Sequence, residues 1–252
     1  MALLEVRNVS RSFGGVHAVN DVSFAINEGE IVGLIGPNGA GKTTVMNLIS
    51  GLITVDKGEI FFQGQPLSGL KPHTIARKGI ARTFQIVKPF QGMTVRENVM
   101  IGALFRADAA GLKRTHINDI VRETLALLEL EARADSPVEE LNLAQRKHLE
   151  LARAMAMQPR LLLLDEVMAG LNLKEIEKLM HLVRRLNERG ITILVIEHVM
   201  KAVMNLSHRV LVMYYGGLIA AGPPEEVSQD PRVIEAYLGK RRQKGPVKEV
   251  QQ

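Results

Sequence analysis

The chain has 252 residues, 46% of them hydrophobic and 23% charged, with no cysteine and a formal net charge of +5. This is the composition of a folded globular protein, and the missing thiols exclude a disulfide framework, a zinc–thiolate site and a cysteine nucleophile. Lys240, Arg241, Arg242, Lys244 and Lys248, set against Glu249, put all but one of the net charges in the final segment; the body is near neutral and does not read as a duplex-binding surface.

The first 30 residues alternate, with Leu4, Val6 and Val9 and then Val22, Phe24 and Ile26 apolar, which predicts antiparallel strands. Three short apolar runs, 31–35, 161–164 and 191–196, are bounded by glycine, proline or charge and predict buried strands of a parallel or mixed sheet. The first opens into Gly36-Pro37-Asn38-Gly39-Ala40-Gly41-Lys42-Thr43, and a helix is expected over about 43–50, stopped by Gly51. From about 86 to 157 the strand signals fade. Thr94 with Glu97, and Ser136-Pro137 with Glu139, have capping-box spacing, while Val121, Leu125 and Leu128 form a helical stripe; a helical subdomain is expected there.

Between the second and third runs, Asn172 and Glu175 mark a helix start, with Ile176, Leu179, Met180, Val183 and Leu186 on one face and Gly190 as the stop. Strand, helix, strand in that order makes the fold class α/β. The longest remaining apolar stretch, 210–221, holds two tyrosines and two glycines and falls short of the ~20 apolar residues that cross a bilayer. Glu5 and Arg7 interrupt the start, so no export signal is expected. Residues 1–239 read as a single domain and 240–252 as a flexible basic tail.

Gly36-x4-Gly41-Lys42-Thr43 fits the phosphate-binding loop pattern in full. Its glycines let backbone N–H groups turn toward phosphate oxygens, and the helix that follows adds its dipole. In such a loop Lys42 reaches the β- and γ-phosphates and the Thr43 hydroxyl ligates Mg²⁺. The run 161–164 ends in Asp165-Glu166, which places two acids at the sheet's C-terminal edge, where ligands of open α/β sheets gather. Asp165 is expected to hold Mg²⁺ and Glu166 to polarise an attacking water. His198 at the end of the third run, and Gln85, carry no chemical signal by themselves.

The order of the phosphate loop, Gln85, Leu141-Asn142-Leu143-Ala144-Gln145, Leu164-Asp165-Glu166, Ala169-Gly170-Leu171-Asn172 and His198 resembles the ATP-binding subunit of ABC transporters over residues 3–239. The implied fold is a P-loop NTPase core with flanking helices, an antiparallel β region before it and an inserted helical subdomain. Ala81-Arg82-Thr83-Phe84-Gln85, Phe90-Gln91-Gly92-Met93-Thr94-Val95-Arg96-Glu97-Asn98 and the stretch from Asp230-Pro231-Arg232 to Tyr237-Leu238-Gly239 look like the ATPase subunits of branched-chain amino acid importers. The resemblance implies that Phe13 stacks on adenine, and that Asn38, Gly39, Ala40, Gly41, Lys42, Thr43 and Thr44 wrap the phosphates. Gln85 then approaches Mg²⁺ and the attacking water, Glu166 is the general base and His198 contacts the γ-phosphate. Asn142 and Gln145 belong to a signature segment offered to the ATP of a second ATPase subunit in a head-to-tail dimer.

Transmembrane permease subunits are the implied direct partners, at the cytoplasmic face of the membrane, with a solute-binding protein acting indirectly and no nucleic acid. Urea, amides or aromatic acids stand as alternative solutes. A non-transport ABC ATPase is the alternative class, although such proteins usually join two cassettes or carry long inserts. A GTPase is disfavoured because Asn172-Leu173-Lys174-Glu175 lacks the spacing of a guanine-reading motif.

The signature departs from the usual Leu-Ser-Gly-Gly-Gln. Asn142 is as good a helix cap as serine and Gln145 falls at the reciprocal third position, but Leu143 replaces a glycine that permits close approach. Val167 stands where proline is common and Asn172 where aspartate is. Lys42, Asp165 and Glu166 are all present, so hydrolysis is expected. Whether this signature makes the weaker of two ATP sites stays open at this point.

Overall fold

The computed structural model describes residues 2–85, 88–111 and 114–238; the expected basic tail lies outside the described residues. The alternating first 30 residues form β1 (Ala2–Phe13) and β2 (Val16–Asn27), paired antiparallel. After β3 (Ile31–Ile35) come α1 (Lys42–Ile49), β4 (Lys57–Phe62), β5 (Gln65–Pro66), α2 (Pro72–Arg77) and β6 (Ile80–Arg82). The segment expected to be helical holds α3 (Val95–Ala110), α4 (Arg114–Leu127) and α5 (Leu143–Met155). A βαβ unit follows, made of β7 (Leu161–Asp165), α6 (Leu173–Glu188) and β8 (Thr192–Ile196). The chain then runs through α7 (Met200–Leu206), β9 (Arg209–Tyr214), β10 (Gly217–Gly222), α8 (Pro224–Gln229) and α9 (Pro231–Leu238).

Two sheets result. The first has the order β2-β1-β4-β5 and is antiparallel throughout. The second has the order β10-β9-β3-β8-β7-β6 and is parallel except for the β9–β10 hairpin. Successive side chains of a strand face opposite ways, and β7 divides accordingly. Leu161 and Leu163 join a core with the antiparallel sheet and Val45, Met46 and Ile49 of α1. Leu162 and Leu164 join a second core with α3, α4, α5 and α6. The second sheet is therefore the middle layer, which explains why β3, β7 and β8 are buried at every position and read as unbroken apolar runs.

Local signals held where they were complete. Thr94 with Glu97 and Asn172 with Glu175 both form reciprocal capping boxes, and Gly190 follows α6 with φ +90°. The Ser136–Glu139 spacing does not make one. Pro137 sits extended, bridged to Thr94, and a short 3-10 helix (Val138–Glu140) follows it. The Glu139 carboxylate instead accepts from the Gly92 N–H at 2.9 Å. The stretch 210–221, weighed above against bilayer length, is the β9–β10 hairpin, and α1 begins one residue earlier than expected.

Candidate nucleotide and hydrolysis site

The phosphate loop leaves β3 at the C-terminal edge of the middle sheet and enters α1. Gly41 sits against neighbouring backbone: φ is +101°, and a Cβ there would stand 2.2 Å from the Ala18 carbonyl oxygen. No side chain caps α1, so its first N–H groups keep their donor capacity for an anion. Lys42 is buried beneath the loop, with Nζ donating to the carbonyls of Gly36 (2.7 Å) and Pro37 (3.0 Å). Burial lowers its pKa, opposed by the charges of Glu166 and Asp165. Asn38, Gly39 and Thr43 are exposed, Gly41 and Thr44 half-buried, and Ala40 buried. The Ala40 carbonyl accepts from the Gly216 N–H at 3.1 Å, which ties the loop to the β9–β10 turn.

Asp165 closes β7. Its Oδ2 accepts from Arg82 Nη2 at 2.8 Å, while Arg82 Nη1 also reaches Asn47 Oδ1 and Ser50 Oγ on the α1 side. The next residue, Glu166, has φ +52°, a left-handed conformation that a glutamate holds only where its surroundings over-determine it. Its backbone N–H donates to the Ile196 carbonyl at 2.9 Å. Its carboxylate is held on both oxygens: Gln85 Nε2 donates to Oε2 at 2.6 Å, and His198 Nε2 hydrogen-bonds Oε1 at 2.7 Å. Thr43, Gln85 and Asp165 line one cavity of about 550 Å³ together with Arg82, Glu150 and Arg153.

The structure thus brings together the loop, Asp165, Glu166, Gln85 and His198. The other expected site residues lie apart from that cavity. Phe13 is 45% exposed at the end of β1, with the Arg11 guanidinium 5.0 Å from its ring. Asn142 and Gln145 cap the start of α5 by bonding each other, Asn142 Oδ1 accepting from the Gln145 N–H at 2.9 Å and Gln145 Oε1 from the Asn142 N–H at 3.1 Å. Leu143 is 45% exposed, and its Cδ2 lies 3.0 Å from where a Cβ on Gly170 would be.

Sequence reasoning missed three charged side chains around the acids. Arg82 was seen only as part of a subfamily stretch, and nothing local pairs it with a residue 83 positions on. Lys147, 3% exposed, donates from Nζ to the Glu166 carbonyl at 3.3 Å. Glu197, also 3% exposed, accepts from the Met168 N–H at 2.7 Å. Burial pushes its carboxyl up to about 7, against hydrogen bonds from the Met168 and His198 backbones; the charge of Glu166 adds to the rise and Lys147 opposes it. A glutamate ending an apolar run was the one available sign.

Comparison with known proteins identifies the family and the fold. Residues 19–169 match the family described as ABC transporter, and residues 218–242 match the branched-chain amino acid ATP-binding cassette transporter family. The chain is 39% identical over 249 residues to the high-affinity branched-chain amino acid transport ATP-binding protein BraF of Pseudomonas aeruginosa, covering 94% of this chain and 98% of that one. LivG of Salmonella typhimurium, described in the same words, is 41% identical with the same coverage. Among solved structures, the ADP conformation of an ATP-binding cassette of an ABC transporter superposes with a TM-score of 0.84 at 32% identity, covering 95% of this chain and all of that one. The family match spans the phosphate loop through the Asp165-Glu166 pair, and the chain belongs to the ABC transporter family as an ATP-binding, ATP-hydrolysing cassette.

Proposed function

We propose that this cassette powers the import of branched-chain amino acids through separate permease subunits, with Glu166 as the general base of ATP hydrolysis. The observation that carries the chemical part is the double hold on the Glu166 carboxylate at the edge of the phosphate-loop cavity. A carboxylate gripped by two side chains from distant segments is aimed, and it lies beside the acid that ends β7. The solute reading rests on the relatives' stated function and on the match at residues 218–242.

In this reading the loop residues 38–44 bind the triphosphate, and Lys42 exchanges its two carbonyl partners for β- and γ-phosphate oxygens. Phe13 supplies a ring face for adenine. Glu166 takes a proton from water as the water oxygen bonds the γ-phosphorus, and the β–γ bridging oxygen leaves with ADP. Gln85 orients the water, and His198 turns from Glu166 to the γ-phosphate. Thr43, Gln85 and Asp165 suit Mg²⁺ because all three offer hard oxygen donors to one cavity. When bound there, Mg²⁺ neutralises phosphate charge. Among the described residues no group of three or more His, Cys, Asp or Glu could hold a metal by itself, which suits a metal held partly by the nucleotide.

A second ATPase subunit faces the first head to tail and receives the Asn142–Gln145 segment at its own ATP. No helix among the described residues is long and apolar enough to cross a membrane; the permeases supply that crossing, and the cassette sits peripherally at the cytoplasmic face. A solute-binding protein delivers solute to the permeases. The test is reconstitution in proteoliposomes with the permeases, the sister ATPase and the solute-binding protein. Leucine, isoleucine or valine uptake should require ATP and stop with Glu166→Gln. Uptake of urea, amides or aromatic acids in their place would overturn the solute, and failure to copurify with any permease would overturn the transport role.

A further inference from the structure

We propose that Lys147 and Glu197 are positioning residues for the general base, fixing the backbone of the turn that holds Glu166 in its left-handed conformation. The inference rests on Glu166 being that base. The turn begins at Glu166, whose carbonyl accepts from the Ala169 N–H (3.2 Å) and from Lys147 Nζ (3.3 Å). Its middle is held by Glu197, which accepts from the Met168 N–H at 2.7 Å, and its start by the Glu166 N–H on the Ile196 carbonyl. Hydrogen bonds thus fix the peptide groups on both sides of the base and one two residues beyond.

Among the described residues Lys147 makes no other hydrogen bond, and the one further bond of Glu197 comes from the backbone of His198, its chain neighbour. Lys147 and Glu197 are both 3% exposed, and burying charge is costly unless it is paired or bonded. Lys147 also acts electrostatically on Glu197, so each offsets part of the other's desolvation while holding a different point of one turn. Lys147 sits in the second turn of α5, two residues after Gln145, and Glu197 directly precedes His198. The base, its histidine partner and the signature helix therefore meet through these two side chains. Without them a glutamate at φ +52° relaxes toward ordinary backbone angles, and its carboxylate leaves Gln85 and His198.

The test measures ATP hydrolysis by the assembled transporter with single and double substitutions. Lys147→Met and Glu197→Ala should lower kcat by roughly 10²-fold, the cost of a misplacement on the order of 1 Å, while KM for ATP stays unchanged. Glu197→Gln keeps the acceptor for Met168 and should recover most of the rate. On a Glu166→Gln background the same substitutions should change the residual rate no further, because they act through the carboxylate. If Glu166→Gln itself retains turnover, the base assignment fails. If Glu166→Gln slows turnover as expected but Lys147→Met and Glu197→Ala leave kcat unchanged, or lower the rate by the same factor on both backgrounds, the positioning role fails. Fluorescent-nucleotide titration and thermal melts establish folding, and the double variant Lys147→Met/Glu197→Gln, which removes both charges and keeps the acceptor, serves if a single variant does not fold. That double variant should still lose kcat, because the Glu166 carbonyl has lost its amine; full activity in it would overturn the role of Lys147.

Discussion

Replacing Glu197 by glutamine should stabilise the protein in a pH-dependent way. The side chain is buried, and its carboxyl is raised from 4.5 to about 7, chiefly by desolvation. The folded state therefore holds the Glu197 proton more tightly than the unfolded chain does. Its contribution is fully present below pH 4.5, is lost as pH rises, and is gone once pH passes about 7. The gap between 4.5 and about 7, at about 1.4 kcal/mol for each tenfold in proton affinity, comes to about 3 kcal/mol. Glutamine keeps the oxygen that accepts from Met168 and has no proton to lose. Near pH 4.5 the two proteins should have similar stability, and at pH 8 the variant should be more stable by about 3 kcal/mol, or about 10 °C in Tm for a chain of this size. Thermal melts across that range, followed by circular dichroism, read the difference directly. A constant offset between the two proteins from pH 4.5 to 8 would refute the reasoning, because it would mean that Glu197 titrates alike folded and unfolded.

Asn142→Ala removes the cap that Gln145 reciprocates and should cost about 1 kcal/mol of stability with a measurable fall in ATPase rate. Leu143→Gly should tighten the ATP-bound dimer seen by sedimentation and raise hydrolysis at the site this signature completes; a fall as large as that of Asn142→Ala would mean that leucine belongs to a differently built but competent signature. Arg82→Met breaks a buried ion pair at 2.8 Å and should destabilise by about 3–5 kcal/mol in urea unfolding.

What the sequence disclosed followed the range of each signal. The run 31–35, the glycine loop and the capped helix after Asn172 were legible because a motif and a period lie within a few residues. The three residues of β6 are too short to show a period, and β9–β10 were weighed only for length. Ser136 and Glu139 had the right spacing, yet Pro137 holds the chain extended against Thr94, and no spacing rule sees a bridge partner so far away. The same limit governs the site. Glu166 meets Gln85 across 81 positions and His198 across 32, so only resemblance joined them beforehand. Lys147 and Glu197 had no such help, since their partners are backbone groups of a turn.

The central claim is that Glu166 is the base of this ATPase. The direct measurement is Glu166→Gln in the assembled complex, with ATP binding and single-turnover hydrolysis measured on the same preparation. The account predicts binding like that of the unaltered protein and hydrolysis slowed by about 10²- to 10⁴-fold. Near-normal hydrolysis with binding intact would contradict it.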